Sequence, residues 1–139
     1  MGRTNVNGGC LCGAIAYNAV VDPERCAICH CHNCQVNSGT AFGWVVHIRD
    51  RQFELTRGNL KIFETLAESG RRRCLSFCGD CGTRIHAQTP DQSDAFFGLR
   101  VGTVSQRQLL VPKQQVWCRS AQDWTFNLLA IPRKEQQDG

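Results

Sequence analysis

The chain has little with which to build helices. No stretch of its 139 residues keeps a 3.6-residue apolar period for three turns, which excludes a helical bundle. The best local helix signal is Ser105 with Gln108 just before Leu109 and Leu110, a capping-box spacing that predicts one short turn. No apolar run is long enough to cross a membrane as a helix. The opening "MGRTNVNGG" lacks the apolar core of a signal peptide, and Val6 stands where a myristoylation signal needs Ser or Thr. These absences set the expectation of a cytoplasmic chain without a membrane partner. Internal repeats are absent as well, so a solenoid is excluded.

Cysteine is abundant: there are ten. In a chain read as cytoplasmic, closely spaced cysteines point to metal rather than to a disulfide scaffold. The apolar share of 42% is enough for a core and argues against disorder away from the ends. The formal charge of +4 hints at anionic partners. Metal binding changes that reading, because metal-bound cysteines are thiolates. Seven thiolates holding two zinc dications would remove three charges and leave about +1 of the formal +4. With aromatic residues at only 8%, this argues against a nucleic-acid partner.

The apolar pattern is mostly that of strands. "AIAYNAVV" (14–21) is rich in small and β-branched residues, and "AFGWVVHI" places Phe42, Trp44, Val46 and Ile48 on one face at period two. "QFELT" and "LKIFET" follow as two further segments around the turn "RGN". "RRRCLSF", "RIHAQ" and "AFFGLRVG" are also strand candidates, and "VWCRS" and "WTFNLLAI" supply late apolar segments. "RKEQQDG" (133–139) reads as a polar, frayed tail. Many short strands with glycine-rich turns predict a small, mainly β architecture with little helix.

The cysteines fall into three clusters. "FCGDCGT" carries Cys78 and Cys81 as a Cys-x-x-Cys knuckle, whose tight turn lets both sulfurs face one ion. A tetrahedral structural zinc needs four ligands, so this knuckle is half a site. "GGCLCGAI" supplies Cys10 and Cys12 as the natural other half; the alternative is that they are small buried residues. "CAICHCHNC" holds Cys29, Cys31 and Cys34 as Cys-x-Cys-x-x-Cys. Three thiolates on one zinc leave a fourth position open, the signature of a reactive site. Cys26 or Cys118 could close that position and make the site structural. His30 and His32, in an extended segment, would point away from their cysteine neighbours.

Taken together, "GGCLCG", "CHCHNCQVNSG" and "FCGDCGT", continued through Pro112, Val116, Trp117, Trp124 and Pro132, resemble the glutathione-dependent formaldehyde-activating enzyme family. The resemblance implies a β-tent fold, in which small curved antiparallel sheets surround two zinc sites within a single domain over residues 1–132. It implies a structural zinc on Cys10, Cys12, Cys78 and Cys81, and a catalytic-type zinc on Cys29, Cys31 and Cys34. The implied activity is that of a carbon–sulfur lyase, with a small-molecule thiol such as glutathione and an aldehyde as partners. This chain departs from the family where basic residues often follow the third cysteine of the middle motif: here stand Gln35 and Val36. Arg71, Arg72 and Arg73 could replace those charges, but a basic run reads first as a solvated strand edge.

Chemically, a zinc with three thiolates can hold a substrate thiol as thiolate, which then attacks an aldehyde to give a hemithioacetal. The proton would move through one of His30, His32, His47 or His86, the side chains that titrate near neutrality. Two other readings stay open: a carrier that binds the thiol without catalysis, and a zinc module that binds a macromolecule, for which the second site would be closed.

Overall fold

In the computed structural model, which describes residues 2–137, the chain is mainly β, as its alternating pattern predicts. Eight strands follow in order: β1 (Thr4–Gly9), β2 (Ala16–Cys29), β3 (Gly43–Arg57), β4 (Leu60–Leu66), β5 (Arg72–Cys78), β6 (Arg84–Gln88), β7 (Gly98–Arg100) and β8 (Gln114–Val116). They form one continuous path in the order β1-β2-β3-β7-β6-β5-β4, antiparallel throughout, and β8 adds to β2 in parallel. The single α-helix of the described residues, α1, spans only His32–Ser38.

The sheet is curled because its two long strands are irregular. The β2–β3 ladder slips between Ala19 and Val21 and again between Asp22 and Cys26. Pro23 lies in that second slip, where its missing N–H costs no ladder bond. On β3, Asp50 and Arg51 adopt left-handed φ values of 51° and 56°. Extra residues of this kind bend and twist a strand. They also correct the expectation of two separate segments: "AFGWVVHI" from Gly43 onward and "QFELT" belong to one strand, joined through the Asp50–Arg51 irregularity, and Ala41 and Phe42 precede it.

One face of the curled sheet is the core. Val46 and Ile48 are fully buried there, as their spacing predicts, with Val21, Ile85 and Leu99. Tyr17 stacks on Phe53 at 5.0 Å and shares a 2.7 Å hydrogen bond with Thr103. Trp44 is half-buried against this core and donates from Nε1 to the Leu110 carbonyl at 3.1 Å, so its role is packing.

The turn expected near Leu109 is present as a 3-10 turn, Arg107–Leu109, but no side chain caps it. The Ser105 N–H instead donates to the Asn7 carbonyl, tying this segment to β1. Residues 124–130 of "WTFNLLAI" lie within another 3-10 stretch, Asp123–Ala130, and Ile131 caps it. Of the expected tail, 133–137 carries no helix or strand and is exposed, and 138–139 lie outside the described residues.

Candidate metal centres

The first cluster forms where the curl brings distant strands together. Cys10 and Cys12 lie in the loop from β1 to β2; Cys78 ends β5 and Cys81 lies in the turn to β6. Their four sulfurs lie within 4.8 Å of one another. Cys10 and Cys12 are 3.7 Å apart, and Cys12 is 3.9 Å from Cys78. The knuckle is closed by Gly82, at φ +79°, whose N–H donates to the Cys78 carbonyl at 2.9 Å. Backbone N–H groups also point at sulfur: Ile15 to Cys10 at 3.1 Å, and Asp80 to Cys78 at 3.4 Å. The Thr83 hydroxyl, followed by its backbone, lowers the Cys81 thiol to about 5. Such donors favour thiolates. Four converging sulfurs with this support fit a tetrahedral ion. Cys10 and Cys12 are therefore paired with the knuckle rather than simply buried.

The second cluster is built on the end of β2 and the start of α1. Cys29 is the last residue of β2, Cys31 caps α1, and Cys34 lies one turn in. The Cys34 N–H donates to the Cys31 sulfur at 3.3 Å, a side-chain cap that uses sulfur where Ser or Asp is usual. All three sulfurs lie within 4.8 Å of one another. Cys34 is held far below the usual thiol value, first by hydrogen bonds with Cys29 and Cys31, and further by Arg100. The same contacts with Cys31 and Cys34 push Cys29 up. Without a cation, the three sulfurs oppose one another's ionisation: Cys29 and Cys31 are raised while Cys34 is lowered. A dication is what lets all three ionise together, so the donor set fits a soft-ligand metal such as zinc.

Gly43 permits this packing. A Cβ there would lie 2.8 Å from Arg100 Nη1 and 3.2 Å from the Cys34 sulfur. Arg100 Nη1 itself is 3.7 Å from that sulfur.

The three cysteines open onto a cavity of about 390 Å³. Arg71, Arg73 and Arg100 line it, with Glu68 in the wall and the rings of Phe96 and Trp117. A wider groove of about 650 Å³ lies over β1, β2 and β3, with no cysteine or histidine in its lining.

Several expectations change at this site. The segment after Cys31 is helical rather than extended, so alternation does not govern His32. His30 is fully buried, with Nε2 2.7 Å from Gln115 Oε1 and its ring against Phe42 and Phe126. None of His30, His32, His47 and His86 lines the cavity. Neither Cys26 nor Cys118 joins a metal cluster. Cys26 is buried in the core and donates to the Leu110 carbonyl at 3.3 Å, and Cys118 is exposed. Ser38 bonds to Thr40, away from the sulfurs.

The arginine run is not merely a solvated edge, since Arg71 and Arg73 face the cavity. Glu68, Arg100 and Phe96 carry no spacing signal, and only the tertiary structure brings them in. Gln35, where the family resemblance led to the expectation of a basic residue, ties the site together: Nε2 donates to the carbonyls of His30 and Ser120 at 2.8 Å each, and Oε1 accepts from Gln122.

Comparison with known proteins agrees with this geometry. The family model described as "Glutathione-dependent formaldehyde-activating enzyme" matches residues 5–120. A crystal structure of a Rhodobacter sphaeroides protein from structural genomics superposes with a TM-score of 0.60. It is 20% identical, and the alignment covers 79% of this chain and 99% of that one, a likeness of fold. No curated protein matches the sequence.

Proposed function

The chain belongs to the glutathione-dependent formaldehyde-activating enzyme family, and from that premise we propose that it is a zinc-dependent carbon–sulfur lyase-like enzyme. It forms or cleaves the adduct of a small thiol and an aldehyde, in the manner of S-hydroxymethylglutathione formation. The observation that carries this reading is the three-cysteine cluster opening onto a cavity, with neither Cys26 nor Cys118 beside it to supply a fourth thiolate.

Cys10, Cys12, Cys78 and Cys81 would hold a structural zinc, and Cys29, Cys31 and Cys34 a second one. At that second site the ion would supply an open position that stabilises a substrate thiol as thiolate. In the forward direction the sulfur–carbon bond forms, the carbonyl π bond breaks, and the thiol proton ends on the new hydroxyl. Arg100, beside Cys34, is a fixed cation for the charge that develops on the aldehyde oxygen. No histidine lines the cavity to relay the proton, and the carboxylate in the wall, Glu68, is held on the His32 N–H and the Ser120 hydroxyl. Phe96 and Trp117 keep water from part of the wall.

The test is the rate of hemithioacetal exchange between glutathione and formaldehyde, followed by NMR with and without zinc-loaded protein. Acceleration that disappears in Cys34→Ser supports the reading. Tight thiol binding with no change in rate would replace it with the carrier reading.

A further inference from the structure

We infer that Arg71 is the residue that selects a carboxylate-bearing thiol at the Cys29–Cys31–Cys34 site. This rests on the lyase reading above and adds a recognition element for charge on the thiol.

The cations in the cavity differ in how much hydrogen-bonding capacity they have to spare. Arg73, only 18% exposed, pairs with Asp94, whose carboxylate is 1% exposed and also accepts from the Thr89 N–H. That pair is satisfied and structural. Arg100 is directed at the Cys34 sulfur. Arg71 is different. Its side chain is 54% exposed, and its contact is a 3.8 Å ion pair to the Asp94 oxygen that Arg73 already holds. The guanidinium fork therefore keeps donors free while lining the same cavity as the three sulfurs.

Its main chain is held in place. Arg71 lies at the base of the β4–β5 hairpin tip, where Ala67 N–H donates to the Arg71 carbonyl and Arg71 N–H to Ser69 Oγ. The tip is tied to the metal loop: Asn33 Nδ2 donates to the Leu66 carbonyl at 2.8 Å, and Glu68 accepts from the His32 N–H and the Ser120 hydroxyl. A planar fork on this anchored tip, lining the same cavity as the three sulfurs, matches one oxyanion geometry well, the carboxylate.

The experiment uses zinc-loaded full-length protein and two thiols of one shape, 3-mercaptopropionate and 3-mercaptopropionamide, titrated by calorimetry. The wild type should bind the carboxylate about tenfold more tightly, the effect of one charge-assisted contact at a half-exposed site. Arg71→Gln should bring the two affinities together by weakening only the carboxylate, and Arg71→Lys should keep part of the preference. Equal binding of both thiols by the wild type, or an undiminished preference in Arg71→Gln, overturns the inference and leaves the lyase reading standing. Binding of neither thiol overturns both.

Discussion

At the scale of single residues, close approach governs the second metal cluster. Gly43 is there because Arg100 and the Cys34 sulfur occupy the volume a side chain would need. Gly43→Ala should push the guanidinium away from the sulfur and remove a group that favours its ionised form. Loss of an outer-shell partner typically costs 10–100-fold in metal affinity. We expect about that loss at one of the two sites and none at the other, read by competition with a chromogenic chelator. Cys26→Ser gives the opposite expectation. Its sulfur lies in the core on the Leu110 carbonyl, so metal content should stay the same while stability falls by about 1 kcal/mol. A chain that loses a metal in Cys26→Ser would have a closed second site and would not be the enzyme proposed here.

At the scale of elements, the loops around the site are held by few groups, and this is where the sequence was hardest to read. The motif cysteines were legible because ligand spacing is local: a knuckle or a Cys-x-Cys-x-x-Cys run is set by the turn that contains it. The strand "RIHAQ" was legible to its ends for a similar reason, its boundaries agreeing with β6. Gln35 was not. Along the chain it looks like a missing cation; in the structure it joins His30 to a segment 85 and more positions beyond Gln35, donating to the His30 and Ser120 carbonyls and accepting from Gln122. Glu68 and Arg100 reach the cavity only through the hairpin latch and the β3–β7 pairing, which no local pattern encodes. Gln35→Ala should leave the His30 and Ser120 carbonyls without their donor and free the 3-10 segments on the C-terminal side. A cost of about 1–3 kcal/mol is expected in urea unfolding, the usual penalty for part-buried polar groups that lose a partner.

At the scale of the whole molecule, two features set the response to solution conditions. The first is His86. Burial, with Arg51 nearby, lowers its pKa to about 4 from the ordinary 6.5, and Phe53 and Phe97 pack edge-on against its ring. Between those two values the unfolded chain binds the proton and the folded chain does not, so stability falls as the pH drops from about 6.5 to about 4 and levels off below. The loss is on the order of 3 kcal/mol by linkage. His47 is shifted in the same direction, mainly by burial, and adds to the slope. Replacing His86 by Leu should flatten much of the acid limb of a denaturation profile, whereas an unchanged limb would place its origin elsewhere.

The second feature is the way the curled sheet is closed. In the strand order β1 and β5 are far apart, yet the loops that leave them meet at the four-cysteine cluster. Metal there would join segments remote in both sequence and sheet, which makes its binding energy part of the folding energy. The three-cysteine cluster spans only the end of β2 and the adjoining helix, so metal there holds little that β2–β3 pairing does not already hold. The two clusters should therefore separate stability from activity. Cys12→Ser should lower the melting temperature by several degrees or prevent folding, and chelation of the wild type should do the same. Cys34→Ser should melt close to the wild type while losing the rate effect on thiol–aldehyde exchange. If both variants lost stability equally, the second cluster would be a structural staple like the first, and the cavity would need another explanation.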